Sequence, residues 1–563
     1  VVNGDKSYNF VGTTAATTTG QKGLGVSIAK INHVRDMFLD AAYRKEYGRQ
    51  GFYDKLYDSV LEIETQMGET DYITGIGFQK NISDFLQSIN EVAKTPGDNT
   101  ARSALVQSAV QFIDSAQTIY KGLVNYQSNL NAEIKTTVSR INEIGSQLVT
   151  LNRNISKIET GGYETASNLR DQRDMLLDEL SSYCKITYNE GDNGSVEVYI
   201  EGNKFADEMS YNSLQCKAFQ GTDLVDIVWP AFNEESLYSY SEVIATSKNT
   251  DIGGLKGLFI ARGASTPTYE HADMKEPVPD DYITAQYPDG TGNPEYLRRK
   301  NEYDLYTQSV DTSALVNTIA NFDKLISSMV QEINNVFCPE KVITIGGKEY
   351  TVLDTDKAPT TLGNLELNEG QHYISIYGMG DEVRFSELYF EDANYDDDFS
   401  ALFNSNFSTK DYYVRNNINT FGNNSAYTIM NISVNKDIVQ DYSKIPLSGN
   451  GGDAYNTAKE LVDVFSKKIM RYNDSFDGIT FEEFYESMIN DVANTGKIYN
   501  SMSTNETTLA SQLDNQRQQV MGVASDEELS NMIKFQQAYN ASSRFINVID
   551  DMIQTLINNL GVR

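Results

Sequence analysis

The stretch SDEELSNMIKFQQAYNASSRFINVIDDMIQTLINNL, residues 525–560, sets Met532, Phe535, Tyr539, Ser542, Ile546, Ile549, Ile553, Leu556 and Leu560 at alternating spacings of three and four. That rhythm is the seam of a coiled coil. Ser525 with Glu528 three residues on forms a capping box and marks where the helix starts. A helix of about 35 residues is roughly 50 Å long at 1.5 Å per residue. Each large apolar residue on it gains roughly 1.5–3 kcal/mol only if it is buried. The helix therefore needs a partner, either within the chain or in a neighbouring copy. Strict heptads at the end of the sequence, set off by Gly522, point to packing between subunits. The candidate packing residues are Met532, Phe535, Tyr539, Ile546, Ile549, Ile553, Leu556 and Leu560.

Two further seams share this period. One runs Leu130, Ile134, Thr137, Ile141, Ile144, Leu148, Leu151, Ile155 and Ile158, and stops at Gly161 and Gly162. The other opens on the capping box of Thr480 and Glu483. It continues through Phe481, Tyr485, Met488, Val492, Thr495, Tyr499, Met502, Glu506, Leu509, Leu513, Gln516 and Val520. Further helices are expected near residues 34–66 and 80–94 and in SNLRDQRDMLLDELSSYCKI, 167–186, running into the first strand, with a turn at KTPGDN.

Proline breaks helix interiors, and nine of the ten prolines lie between Pro230 and Pro446, with Pro96 the exception. The same middle region carries strand-like alternation in SVEVYIEG and KVITIGGKEYTVL. The fold class that follows is α+β and multidomain: a long helical bundle or coiled coil formed by both chain ends, with β-rich domains inserted between them. We divide it into a bundle of residues 1–185 plus 447–525 and a first β-rich domain at 186–338 with a helix near 312–337. A second β-rich domain or insertion occupies 339–446, and the terminal helix 526–563.

Composition narrows the function. With 79 acidic against 46 basic residues the net charge is −33, which repels nucleic acid and anionic lipid at long range. Neither nucleic acid nor membrane is an expected partner. Cys184, Cys216 and Cys338 lie far apart in an odd count and read as small core thiols. His33, His271 and His372 stand alone, with no metal-ligand spacing around them. No nucleophile elbow, phosphate loop or dinucleotide fingerprint occurs. GNGGD at 449–453 lacks the lysine of a phosphate loop and reads as a boundary turn. In EDANYDDDF, Asp392, Asn394, Asp396 and Asp398 alternate as calcium ligands do, but Asp397 replaces the turn glycine and Phe403 the closing glutamate. A solvated acidic loop is the better reading. The sequence thus predicts no catalytic residue, no cofactor and no metal. The 35 tyrosines and Trp229 read as core and interface, although such aromatics also line glycan sites.

The terminal stretch GVASDEELSNMIKFQQAYNASSRFINVIDDMIQTLINNL, with its phrase FQQAYNASSRFI, resembles the last helix shared by rod, hook and junction proteins of the bacterial flagellum. VRDMFLDAAYRKE at 34–46, LRDQRDMLLDEL at 169–180 and GGLKGLFIARG at 253–263 narrow the likeness to the hook-associated protein 1 type, the hook–filament junction family. The resemblance implies a non-enzymatic axial protein that assembles with itself as a ring of subunits, between hook protein and a second hook–filament junction protein. It also implies an extracellular place on the flagellum and export by the flagellar type III apparatus. A flagellar export chaperone would hold the C-terminal helix. The sequence opens at Val1 without the basic and apolar blocks of a Sec signal, which fits that route. The family pairs its terminal helix with an N-terminal one, which is expected upstream of this sequence. An alternative is a flagellin-like or other axial protein whose β-rich middle acts as an adhesin or glycan-binding module.

Overall fold

The computed structural model describes residues 36–68, 77–160, 165–219, 222–272, 276–310, 312–337, 340–345, 348–353, 383–385, 413–415, 428–434, 436–445, 447, 454–472, 478–521 and 525–560. His33, Cys338, His372, the acidic run near Asp392 and the GNGGD turn lie outside them. Four helices open the described chain: α1 (Met37–Met67), α2 (Phe78–Lys94), α3 (Asn99–Glu159) and α4 (Ser167–Tyr183). Two small antiparallel sheets follow. The first holds β1 (Ile186–Glu190), β2 (Val196–Ile200) and β3 (Asn203–Ala206), and the second β4 (Gln215–Ala218), β5 (Val225–Trp229) and β6 (Glu235–Ser236). Helices α5 (Gly254–Arg262), α6 (Tyr269–Ala272), α7 (Pro294–Val310) and α8 (Ala314–Phe337) come next. A hairpin of β7 (Glu340–Ile345) and β8 (Lys348–Leu353) and a pair of β9 (Val383–Phe385) with β10 (Tyr413–Arg415) follow. The chain closes with α9 (Lys436–Gln440), α10 (Ala454–Ser466), α11 (Phe481–Met521) and α12 (Ser525–Leu560). Both ends of the described chain are helical around a middle with small sheets, an α+β multidomain fold.

Polar side chains cap the starts of α1, α3 and α11. Asp36 accepts hydrogen bonds from the amides of Phe38 and Leu39, and Asp98 from that of Thr100. At α11 the box closes reciprocally: Glu483 N donates to Thr480 Oγ1 at 3.2 Å, and Thr480 N to Glu483 Oε2 at 2.9 Å. Gly68, at φ 72°, ends α1 in the left-handed region.

The core joins distant segments. Phe78 lies 5.3 Å from Phe112, 5.1 Å from Phe322 and 5.6 Å from Tyr485, so α2, α3, α8 and α11 share one aromatic centre. α1 runs along α11 and crosses α5 closely. A Cβ at Gly51 would stand 2.6 Å from Ser182 O, and one at Gly257 2.6 Å from Phe52 O. Only glycine lets these backbones approach so near.

Residues beyond Gly254 in the first middle segment differ from the expected β character. α5 and α8 are buried in the same core as α1 and α3, which confines strands there to the span from Ile186 to Ser236. α8 combines strong helix periodicity with deep burial, and Asp323 on it ties α6 and the 428–434 segment to the core. Its carboxylate accepts from Tyr269 N at 2.7 Å and Ile429 N at 2.8 Å; complete burial pushes its pKa up to about 7 despite those bonds.

The small sheets dock on α3 through asparagines. Asn131 Oδ1 accepts from Val225 N at 3.0 Å, Asn142 Oδ1 from Leu214 N at 2.8 Å, and Asn152 Oδ1 from Val196 N at 3.1 Å. Their Nδ2 groups donate to the carbonyls of Asp223, Leu214 and Val196. Each carboxamide thus replaces one peptide unit of a strand neighbour. The buried stripe of α3 passes through Val138 and Asn152, while Ile158 at the end of the expected seam is exposed.

Candidate assembly interface

α11 carries the chain from the core to the terminal helix, and its buried side is polar in the second half. The inward positions run Phe481, Tyr485, Met488, Val492, Gly496, Ser503, Glu506, Ala510 and Arg517. Met502, Leu509 and Val520 of the expected seam are exposed instead. The physical reason is a drift in phase. A straight helix turns once per 3.6 residues, so a 3.5-residue pattern slips by about 20° per heptad. Over the 41 residues of α11 the buried face has moved to the next residue on.

What that face meets are charges on α1 and α4. Arg517 donates to Asp178 at 2.8 Å and Asp514 at 3.0 Å, approaches Asp40 at 3.5 Å, and lies 4.1 Å above the Tyr43 ring. Arg44 bonds the other Asp178 oxygen at 2.6 Å and sits over Tyr188 at 4.7 Å. Such buried pairs add little net stability; they join the end of α11 to α1 and α4.

Beyond that anchored end, every α12 side chain described between Asp526 and Asn558 is exposed. Met532, Phe535, Tyr539, Ile546, Ile549, Ile553 and Leu556 are all uncovered, with Phe535 67%, Tyr539 70% and Ile549 40% exposed. Leu560 is the last residue of the helix, and its side chain lies outside the described residues. Leu529, Ile533, Phe545, Val548, Met552 and Ile557 are exposed as well and were missed by the seam. Phe545, Val548 and Met552 each precede a seam residue by one, so they widen the apolar stripe on one flank. The signal was present in the sequence as apolar residues at the neighbouring heptad position. A two-stranded seam needs only a narrow stripe, whereas this band is broad enough for more than one neighbour.

Other candidates have ordinary structural roles. His271 is buried, accepts from Thr268 N at 3.1 Å, and burial lowers its pKa to about 4. Cys184 is buried and free, Cys216 half-buried and free. Trp229 is fully buried against Phe205 and Phe232. Among the described residues no cluster of three or more potential ligands could hold a metal, and no helix is long and apolar enough to cross a membrane.

An isolated amphipathic helix is marginal in water. Limited proteolysis of the monomer is therefore expected to remove α12 first, yielding a trimmed species by mass spectrometry before any cut in α3. Initial cleavage within residues 130–158 would show that the core and not α12 is the weakest part.

Comparison with known proteins places these features. The family model described as the flagellar hook-associated protein FlgK helical domain matches residues 61–337, and that of the flagellar basal body rod FlgEFG protein C-terminal matches 516–560. Flagellar hook-associated protein 1 of Bacillus subtilis strain 168 is 24% identical over 560 residues, covering 99% of this chain and 90% of the relative. The Salmonella typhimurium protein of the same name is 22% identical over 581 residues, covering 99% and 96%. The flagellar hook junction protein FlgK from Burkholderia pseudomallei superposes with a TM-score of 0.47 at 12% identity, over 86% of this chain and 100% of that one.

Proposed function

This chain belongs to the flagellar hook-associated protein 1 family and is a hook–filament junction component of the bacterial flagellum; we propose that it builds that junction by packing α12 against copies of itself. The observation that carries this is the broad, wholly exposed apolar band of α12. Met532, Phe535, Tyr539, Ile546, Ile549, Ile553, Leu556 and Leu560 would form the seam between subunits of a ring. Hook protein would lie on one side of the ring and a second hook–filament junction protein on the other. Residues 1–185 with 447–525, 186–338, 339–446 and 526–563 remain our division of the chain into domains, the second sharing the core of the first through α5 and α8. The role is structural, not enzymatic, and the place of action is outside the cell.

Export through the flagellar type III apparatus fits a chain whose described cysteines are free, since no disulfide there has to be broken for passage. Immunogold electron microscopy of flagella, with antibody to residues 186–446, should place label at the hook–filament boundary. Label along the filament or at the cell body would overturn the assignment.

Before assembly the α12 band has no neighbour, and such a stripe promotes aggregation. A small helical export chaperone that takes it into a groove would solve this by the same three-four anchors. The full chain is expected to bind such a chaperone with a negative heat-capacity change in calorimetry and a gain of helix. A chain ending at Gly522 should not bind; equal affinity for the shortened chain would place the recognition site elsewhere.

A further inference from the structure

α8 is apolar and buried along most of its length, yet Asn317, Asn321 and Lys324 recur on it at spacings of four and three and so share one face. On α11, Asp491, Thr495 and Tyr499 recur at intervals of four. Both rows line one cleft of about 520 Å³, whose lining is completed by Tyr306 of α7 and by Tyr472. Among the described residues no hydrogen bond joins Asn317 or Asn321 to Asp491, Thr495 or Tyr499. Apolar rows at these positions would have closed the gap between the helices. Polar rows that face across it need something in the gap to bond them.

The cleft is built for such an occupant. Asn321 is only 6% exposed. Its Nδ2 donates to Asn317 O at 3.0 Å and reaches Asn317 Oδ1, while its own Oδ1 has no donor among the described residues. Asp491 gives one oxygen to Tyr472 Oη at 3.0 Å, and the other stays unpaired there, as does Tyr499 Oη. Each tyrosine is braced by a second ring: Tyr306 by His271 at 5.7 Å, Tyr472 by Phe484 at 5.3 Å and Tyr499 by Tyr53 at 6.5 Å. The walls are therefore held in place before anything binds, and the volume is that of a small-molecule site.

We propose that this cleft between α8 and α11 binds a short neutral saccharide. Carboxamides and hydroxyls both donate and accept, as sugar hydroxyls do. Tyrosine rings offer apolar faces to the C–H faces of a pyranose and a polar tip to its hydroxyls. An apolar ligand would leave Asn321 and Asp491 without partners. Lys324, which donates to Arg471 O at 3.3 Å, and Asp491 carry opposite charges, so the cleft selects neither an anion nor a cation. None of these residues lies on α12, so the site is independent of how the subunits pack.

Ligand-observed NMR on the full chain tests the site, with maltose, lactose and diacetylchitobiose as probes. Saturation transfer to at least one of them is expected. Its affinity should fall about tenfold in Asn321→Leu, because a sugar hydroxyl then loses its buried partner. Tyr499→Phe keeps the ring and removes only the hydroxyl, so it should weaken the same sugar by a smaller factor. Thermal melting shows whether each variant is folded, and the milder one carries the test should the other not fold. An affinity loss in either folded variant places the sugar in the cleft. No transfer to any probe means that the cleft holds water only, and overturns the site. Binding that the folded variants leave unchanged lies elsewhere on the chain and overturns it equally.

Discussion

Replacing Ile549 and Ile553 together by Asp is expected to abolish incorporation at the hook tip while leaving the core folded. Both side chains are exposed in the single chain, at 40% and 49%, so the monomer loses no contact when they change. In the packed seam each replacement forfeits roughly 1.5–3 kcal/mol of apolar burial. It also places a carboxylate where desolvation costs several kcal/mol more. Every subunit of a ring carries the same defect, so the loss recurs at each contact. Electron microscopy of cells carrying the double variant should show hooks without filaments, and the purified protein should melt where the unsubstituted chain does. Normal filaments would sink the assignment of this face, while a lowered melting temperature would mean that α12 is held by the core after all.

Arg262→Ala is expected to cost about 3–5 kcal/mol, because each buried acceptor left without a donor costs about 1–3 kcal/mol, and such a loss is enough to unfold a marginal domain. Arg262 is fully buried at the end of α5. Its Nη1 donates to Asn131 Oδ1 at 2.7 Å and Val225 O at 2.6 Å, its Nη2 to Tyr240 Oη at 3.1 Å and its Nε to Gly263 O at 3.0 Å. The guanidinium carbon lies 5.3 Å from the Phe259 ring centre. Truncation removes a donor from four acceptors inside a closed core, although Asn131 Oδ1 keeps the amide of Val225. Lysine is not expected to rescue, because one ammonium cannot reproduce a planar fork aimed at three elements. Chemical denaturation measures the loss; a midpoint unchanged in Arg262→Ala would show that the arginine is dispensable to the core.

These two sites stand at opposite ends of legibility. The α12 face could be read from residues 525–560 alone, because apolar period is a local property and survives without knowledge of any neighbour. The same holds for the Thr480 and Glu483 box and for the 61 residues of α3, whose helix ends at Glu159 just before the two glycines. Arg262 sits in GGLKGLFIARG, where nothing local says that its charge turns inward. Likewise VRDMFLDAAYRKE and LRDQRDMLLDEL show charged helices, and only folding brings Arg44 to Asp174 and Asp178, 130 and 134 residues away.

Legible without any fold were the long helices toward both ends of the chain, the capping box at Thr480, and the three-four apolar face of the last helix. Spacing, caps and glycine or proline act within a few residues, so those features are written where they occur. Folding alone brings one side of α11 onto α1, puts Asn131, Asn142 and Asn152 in the place of strand neighbours, and sets Arg49 against Asp251. A polar side chain has no preferred side until its partner is present, and in this fold the partners come from segments up to several hundred residues apart.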